Sequence, residues 1–283
     1  MCKTFPIFSK HTPVRGAFQK IPPAGCKKSE RYAILKPNEP DGGKDMKQRR
    51  GARYFLIFIV VCAAAGFFLR RAERAGAGPG WLIGVSALAA LASLAVSLTL
   101  PPCKDFAALF APSKLDSAAS ACGGAVMLLG GFLMLVQSAG FARILGMLGV
   151  LAGACLAGAA ILRARGRMPN VWLYVVVVLF YVAKLFYDFR HWTVDPAVLD
   201  YCFWLFAAIG FMLATFHAAQ FCFDLGKRRV LALFALMGIY FGAVSLADLR
   251  GGEALICGGS TLWTLACAWQ ALRGNRTGKD EQV

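Results

Sequence analysis

Residues 181–206 read YVAKLFYDFRHWTVDPAVLDYCFWLF. A lysine, an arginine, a histidine and three aspartates stand here between two stretches oily enough to cross a bilayer. On helical spacing Tyr181, Lys184, Asp188 and His191 fall at i, i+3, i+7 and i+10, along one face. Three chemistries suit these groups. An ammonium one turn from a carboxylate forms an ion pair. A cluster of both signs can hold a small charged solute or ion. One histidine with several carboxylates offers donors to a divalent cation, although no ligand spacing here is diagnostic.

The turn after this face has its own logic. Asp195 suits a helix N-cap, with Pro196 at the first helical position. Asp200 falls in the early turns, where the helix dipole favours negative charge. Trp192 and Tyr201 suit the aromatic belt at headgroup level. Further along, Asp248 ends another apolar stretch, with Arg250 and Glu253 beyond it. Gly238, Gly242 and Ser245 lead up to it on a slim, slightly polar face. The candidate binding residues are therefore Lys184, Asp188, Arg190, His191, Trp192, Asp195, Asp200, Tyr201 and Asp248. A structural ion-pair network is favoured, ahead of a ligand or ion site and then a metal site. The network predicts charges that close on one another with no sizeable polar cavity. The binding reading predicts a water-accessible pocket lined by Lys184, Asp188 and Asp248.

A second polar stripe joins His217, Gln220 and Asp224 at i, i+3 and i+7. Ser260, Thr264 and Ala268 are expected to face it, with the hydroxyls bonding across helices. No nucleophile motif, P-loop, dinucleotide fingerprint or HExxH is present, so no catalytic residue, metal or cofactor is assigned. An intramembrane enzyme ranks last among the functional readings.

The elements that must position these groups are apolar. The chain has 283 residues, 58% of them hydrophobic, with a mean hydropathy of +0.58. That excludes an ordinary soluble domain. Eight stretches approach bilayer length: 54–69, 81–100, 118–137, 144–162, 171–189, 200–223, 230–247 and 254–272. The expected fold is an all-α, polytopic transmembrane bundle. The net charge of +16 gathers at helix ends and tails, as topology demands, and no nucleic-acid motif accompanies it. Runs such as Arg163, Arg165, Arg167 and Lys227, Arg228, Arg229 read as cytoplasmic anchors facing anionic lipid. Placing both termini in the cytoplasm puts most basic residues there. The loop containing Arg70, Arg71 and Arg74 violates that rule. The ten cysteines show no zinc spacing and read as small hydrophobes.

Residues 1–45 read as a polar, basic tail, 46–272 as the bundle and 273–283 as a cytoplasmic tail. Met46, followed by Lys47, Arg49 and Arg50 and then by the first apolar run, reads as a translation start. The segment 104–115 is too short to cross; Phe106, Leu109, Phe110 and Leu115 share a face, which suggests an interfacial helix, with a plain connecting loop as the alternative. Gly149 and Gly153 form a GxxxG that suits packing inside the chain, with a homodimer face or a membrane-protein partner as the lesser use.

The stretch KLFYDFRHWTVDPAVLDYCFWLFAAIGFML, the W-x-x-D-P-x-x-x-D-Y arrangement and the later G-K-R-R resemble a group of clostridial and related Firmicute membrane proteins without an established activity. FFLRRAERAGAGPG resembles their first external loop. The resemblance covers about 46–272 and implies a multi-pass protein of the bacterial cytoplasmic membrane. It implies no activity. The expected function is a non-enzymatic structural or regulatory membrane component. Binding or transport of a small solute or ion at the charged cluster is the alternative.

Overall fold

The computed structural model describes residues 42–76, 81–103, 106–110, 114–192 and 198–273, with 42–53, 107–108, 191–192 and 198–200 in backbone only. Among these the fold is all-helical: α1 (Gly42–Arg74), α2 (Trp81–Thr99), α3 (Phe106–Leu109), α4 (Lys114–Gln137), α5 (Phe141–Ala164), α6 (Val171–Trp192), α7 (Val198–Gln220), α8 (Arg228–Ser245) and α9 (Gly251–Arg273). All but α3 are long and apolar enough to cross a membrane. The chain is a multi-pass membrane protein. Large apolar side chains such as Leu91, Phe132, Met147 and Leu179 remain exposed around the bundle, a surface suited to lipid rather than water.

α1 begins at Gly42, four residues before Met46, and its apolar part runs on to Arg74 rather than stopping at 69. Residues 1–41, which carry most of the expected tail, lie outside the described part, as does 274–283. The eight described cysteines are free thiols.

Glycine sets the packing of α4. Gly124 and Gly131 back onto α5, where a Cβ on Gly124 would sit 2.5 Å from the Ala157 nitrogen. Gly123 and Gly130 back onto α9, where a Cβ on Gly130 would sit 2.6 Å from the Ile256 nitrogen. Two seven-residue glycine spacings on neighbouring faces thus let α4 approach two backbones at once. Gly149 and Gly153 both face α4 of the same chain. On the other side of the bundle, Ser86 of α2 meets the Tyr240 hydroxyl of α8 at 2.9 Å.

The 104–115 segment behaves differently from the interfacial helix expected of it. Phe106, Leu109 and Phe110 are buried in the protein, and Leu115 belongs to α4 and is exposed. Burial against the rings of neighbouring turns, such as Phe221, offers α3 apolar contact that a lipid surface would otherwise supply.

Successive long helices alternate in direction. One end of the bundle collects the C-termini of α1, α6 and α8 with the N-terminus of α9. The other collects the C-termini of α5, α7 and α9 with the α3 segment.

Candidate functional site

The buried face of α6 carries Val177, Phe180, Tyr181, Lys184 and Asp188. Helical periodicity alone places the last three in line. Tyr181 pairs with Ser260 of α9 through their hydroxyls. Ser260 already donates to the Ile256 carbonyl at 2.7 Å, so Tyr181 is the donor of that pair.

One turn on, Lys184 is almost fully enclosed. Its Nζ donates to Asp188 Oδ1 at 2.6 Å and to Glu253 Oε1 of α9 at 2.7 Å. The other Asp188 oxygen accepts from Trp204 Nε1 of α7 at 2.7 Å. The ammonium also lies 5.7 Å from the ring centroids of Tyr187 and Trp204. A buried cation is tolerable only when paired and hydrogen-bonded. Here one cation, two carboxylates and an indole satisfy one another and tie α6, α7 and α9 together.

A second knot lies beside it. Asp248, just past α8, accepts from Arg70 Nε through one oxygen and from Arg74 Nε through the other, each at 2.9 Å. Arg70 also reaches Glu73 at 3.3 Å and lies 5.3 Å over the Phe203 ring of α7. Two of the three arginines in the loop that breaks the basic-residue rule, Arg70 and Arg74, are therefore partners of Asp248. Topology put them at the right end of the bundle, and their i, i+4 spacing was the signal.

The two knots do not close the space between them. A cleft of about 510 Å³ remains, lined by the cations Arg74, Lys184 and Arg250 and by the carboxylates Asp188, Asp248 and Glu253. Tyr187, Tyr201 and Trp204 supply aromatic surface. Among the described residues the lining carries three charges of each sign. Such a site suits a molecule that itself carries both signs.

Of the sequence candidates, Lys184, Asp188, Tyr201 and Asp248 come together at this cleft. Arg190 is exposed at the end of α6. The side chains of His191, Trp192, Asp195 and Asp200 lie outside the described residues. Among the described residues no three of His, Cys, Asp and Glu gather as metal ligands. Arg70, Arg74, Tyr187 and Trp204 were missed by sequence reasoning, and Glu253 was noted without its partner.

The second stripe divides. His217 Nδ1 meets Gln220 Oε1 at 2.9 Å, and the imidazole stacks on Phe234 of α8 at 5.7 Å. Asp224 is exposed and caps the turn after α7 in a left-handed conformation, φ 56°. Ser260 turns to Tyr181, and Thr264 donates back to its own helix at the Ser260 and Thr261 carbonyls, both at 2.9 Å. The expected bonding of these hydroxyls to the His217 stripe is thus replaced by bonding to α6 and within α9. The His217 ring stacks on α8 instead.

No protein-family model, curated protein or solved structure matches this chain.

Proposed function

We propose that the chain is a small-solute-binding membrane protein whose site is the cleft between the Lys184 and Asp248 knots. The solute class is a small zwitterion, with its ammonium toward Glu253 and the aromatic rings and its carboxylate toward Arg74 and Arg250. The observation that carries this reading is the cleft itself. Among the described residues a volume of about 510 Å³ lies beside the paired charges, within the range of small-molecule sites. In the topology that the basic residues favour, this end faces away from the cytoplasm, consistent with capture of an external solute in a bacterial cytoplasmic membrane.

The structural or regulatory reading stands beside it on the same contacts. The Lys184–Asp188–Glu253 group spans three helices, as an assembly lock would. Thermal unfolding of the purified full chain in each of the twenty proteinogenic amino acids separates the two. Solute binding raises the midpoint for a subset of them, and Leu249→Trp, which fills the cleft without touching an ion pair, removes the rise. An unchanged midpoint with all twenty leaves the locking role as the function of the cluster.

A further inference from the structure

At the opposite end of the bundle Arg163, the penultimate residue of α5, is 4% exposed. Arg165 and Arg167 after it are exposed. The run expected to lie against anionic lipid is therefore split, and one guanidinium points into the protein. Its Nη1 reaches Gln270 Oε1 of α9 at 3.4 Å. Its Nε and Nη2 have no hydrogen-bond partner.

Those two nitrogens share one edge of the guanidinium plane. It is the edge that a carboxylate or phosphate grips with two parallel hydrogen bonds. The groups around it are Tyr174 and the thiols of Cys267 and Cys222, with no carboxylate among them; the Cys267 thiol is the one that approaches the guanidinium as a long, weak acceptor. Thiols are weak acceptors. The Tyr174 hydroxyl is buried and is itself unpartnered. Asp116, at the same end, meets Arg273 at 3.5 Å through Oδ2, its Oδ1 having no hydrogen-bond partner, and it is not among the groups acting on Arg163. Phe110 of the α3 segment covers one face of the cation, its ring centroid 5.2 Å from Cζ. Covering the face leaves the donor edge as the side still to be satisfied.

A buried cation with a free two-donor edge and a third donor beside it is an incomplete electrostatic unit. What completes it is an acceptor with two oxygens and a negative charge. We propose that the Arg163 edge and the Tyr174 hydroxyl form a binding site for an oxyanion, the phosphate or carboxylate of a soluble molecule or of a lipid headgroup. The site lies at the other end of the bundle from the zwitterion cleft and stands or falls separately from it.

The test uses the purified full chain, wild type and Arg163→Lys, in two arms. Lysine keeps the charge and removes the two-donor edge. In the first arm sodium phosphate or sodium acetate replaces sodium chloride at constant ionic strength while thermal unfolding is followed. A saturable rise in wild type that Arg163→Lys lacks identifies a soluble oxyanion. Comparison with the lysine variant cancels general salt effects on stability. In the second arm both proteins are taken from bilayers of equal phosphatidylglycerol and phosphatidylcholine and weighed by native mass spectrometry. Retention of phosphatidylglycerol by wild type alone identifies a lipid headgroup. Equal behaviour of the two proteins in both arms overturns the proposal. Tyr174→Phe keeps the arginine intact and covers the case in which Arg163→Lys fails to fold. It is expected to need roughly tenfold more anion, the loss of one hydrogen bond to a charged group. A phenylalanine variant identical to wild type in both arms equally overturns the site.

Discussion

Lys184 of α6 holds its ammonium between Asp188, one turn along the same helix, and Glu253 of α9, at 2.6 and 2.7 Å. The first contact could form in an isolated helix. The second exists only when the bundle has assembled and brought α9 within side-chain reach of α6, so the lysine reports on assembly as well as on local structure. Because Asp188 also accepts a hydrogen bond from the Trp204 indole N–H, its two oxygens are committed to different helices.

Removing one member of a buried pair strands the other. Lys184→Met leaves Asp188 buried with only the indole as donor, and Asp188→Asn leaves the ammonium facing Glu253 alone. Each is expected to destabilise the bundle by about 3–5 kcal/mol. The double variant is expected to recover about 0.5–3 kcal/mol of the summed loss. Unfolding in a denaturing detergent checks this. Strict additivity would mean that the two groups do not depend on each other.

Arg70 and Arg74 hold the same carboxylate from different surroundings. The Arg70 side chain is 6% exposed and that of Arg74 is 51% exposed. Arg74→Met is expected to cost about 1 kcal/mol or less, as exposed pairs do. Arg70→Met is expected to cost several times more, about 3 kcal/mol, because it leaves Asp248 with a single exposed partner and empties the space over Phe203. Equal losses in the same unfolding assay would contradict the difference in burial.

The glycine faces of α4 make a sharper steric prediction. Gly124→Val and Gly130→Val push a side chain into a backbone already in contact, and each is expected to cost at least the roughly 1–3 kcal/mol of ordinary overpacking. Gly158 of α5 has nothing within 4 Å of where a Cβ would sit. Gly158→Ala is therefore expected to be neutral, or to stabilise by a few tenths of a kcal/mol up to about 1 through helix propensity. Expression level and thermal midpoint of the three variants decide the matter.

Much of this architecture was legible in the residues, and the reasons differ. The eight long helices announce themselves by apolar length, a property of the segment alone. The Lys184–Asp188 pair follows from helical spacing, again a local property. Asp248 could be brought near them because antiparallel alternation puts its helix end at the same side of the bundle. The identity of its partners was not legible. Arg70 and Arg74 read as loop charges, since one chain does not say which helices become neighbours. Glu253 was visible but unassigned for the same reason. Arg163 was misread as a lipid anchor because a basic residue at a helix end normally finds water or headgroups. Only the packing of α3 and α9 around it reveals the burial. The α3 segment shows the same limit: an apolar face is legible, while what covers it is decided by tertiary contacts.

The central claim is that the space between the two ionic knots holds water and yields it to a solute. Hydroxyl-radical footprinting of the full chain in vesicles measures this at Tyr187, Tyr201 and Trp204, the aromatic lining of the cleft. The account predicts oxidation of Tyr187 and Tyr201 in the absence of solute, and protection of these rings by at least one amino acid beyond any loss of oxidation at Trp172, an exposed ring away from the cleft. Rings that stay unoxidised, or that oxidise equally with every amino acid present, would contradict it.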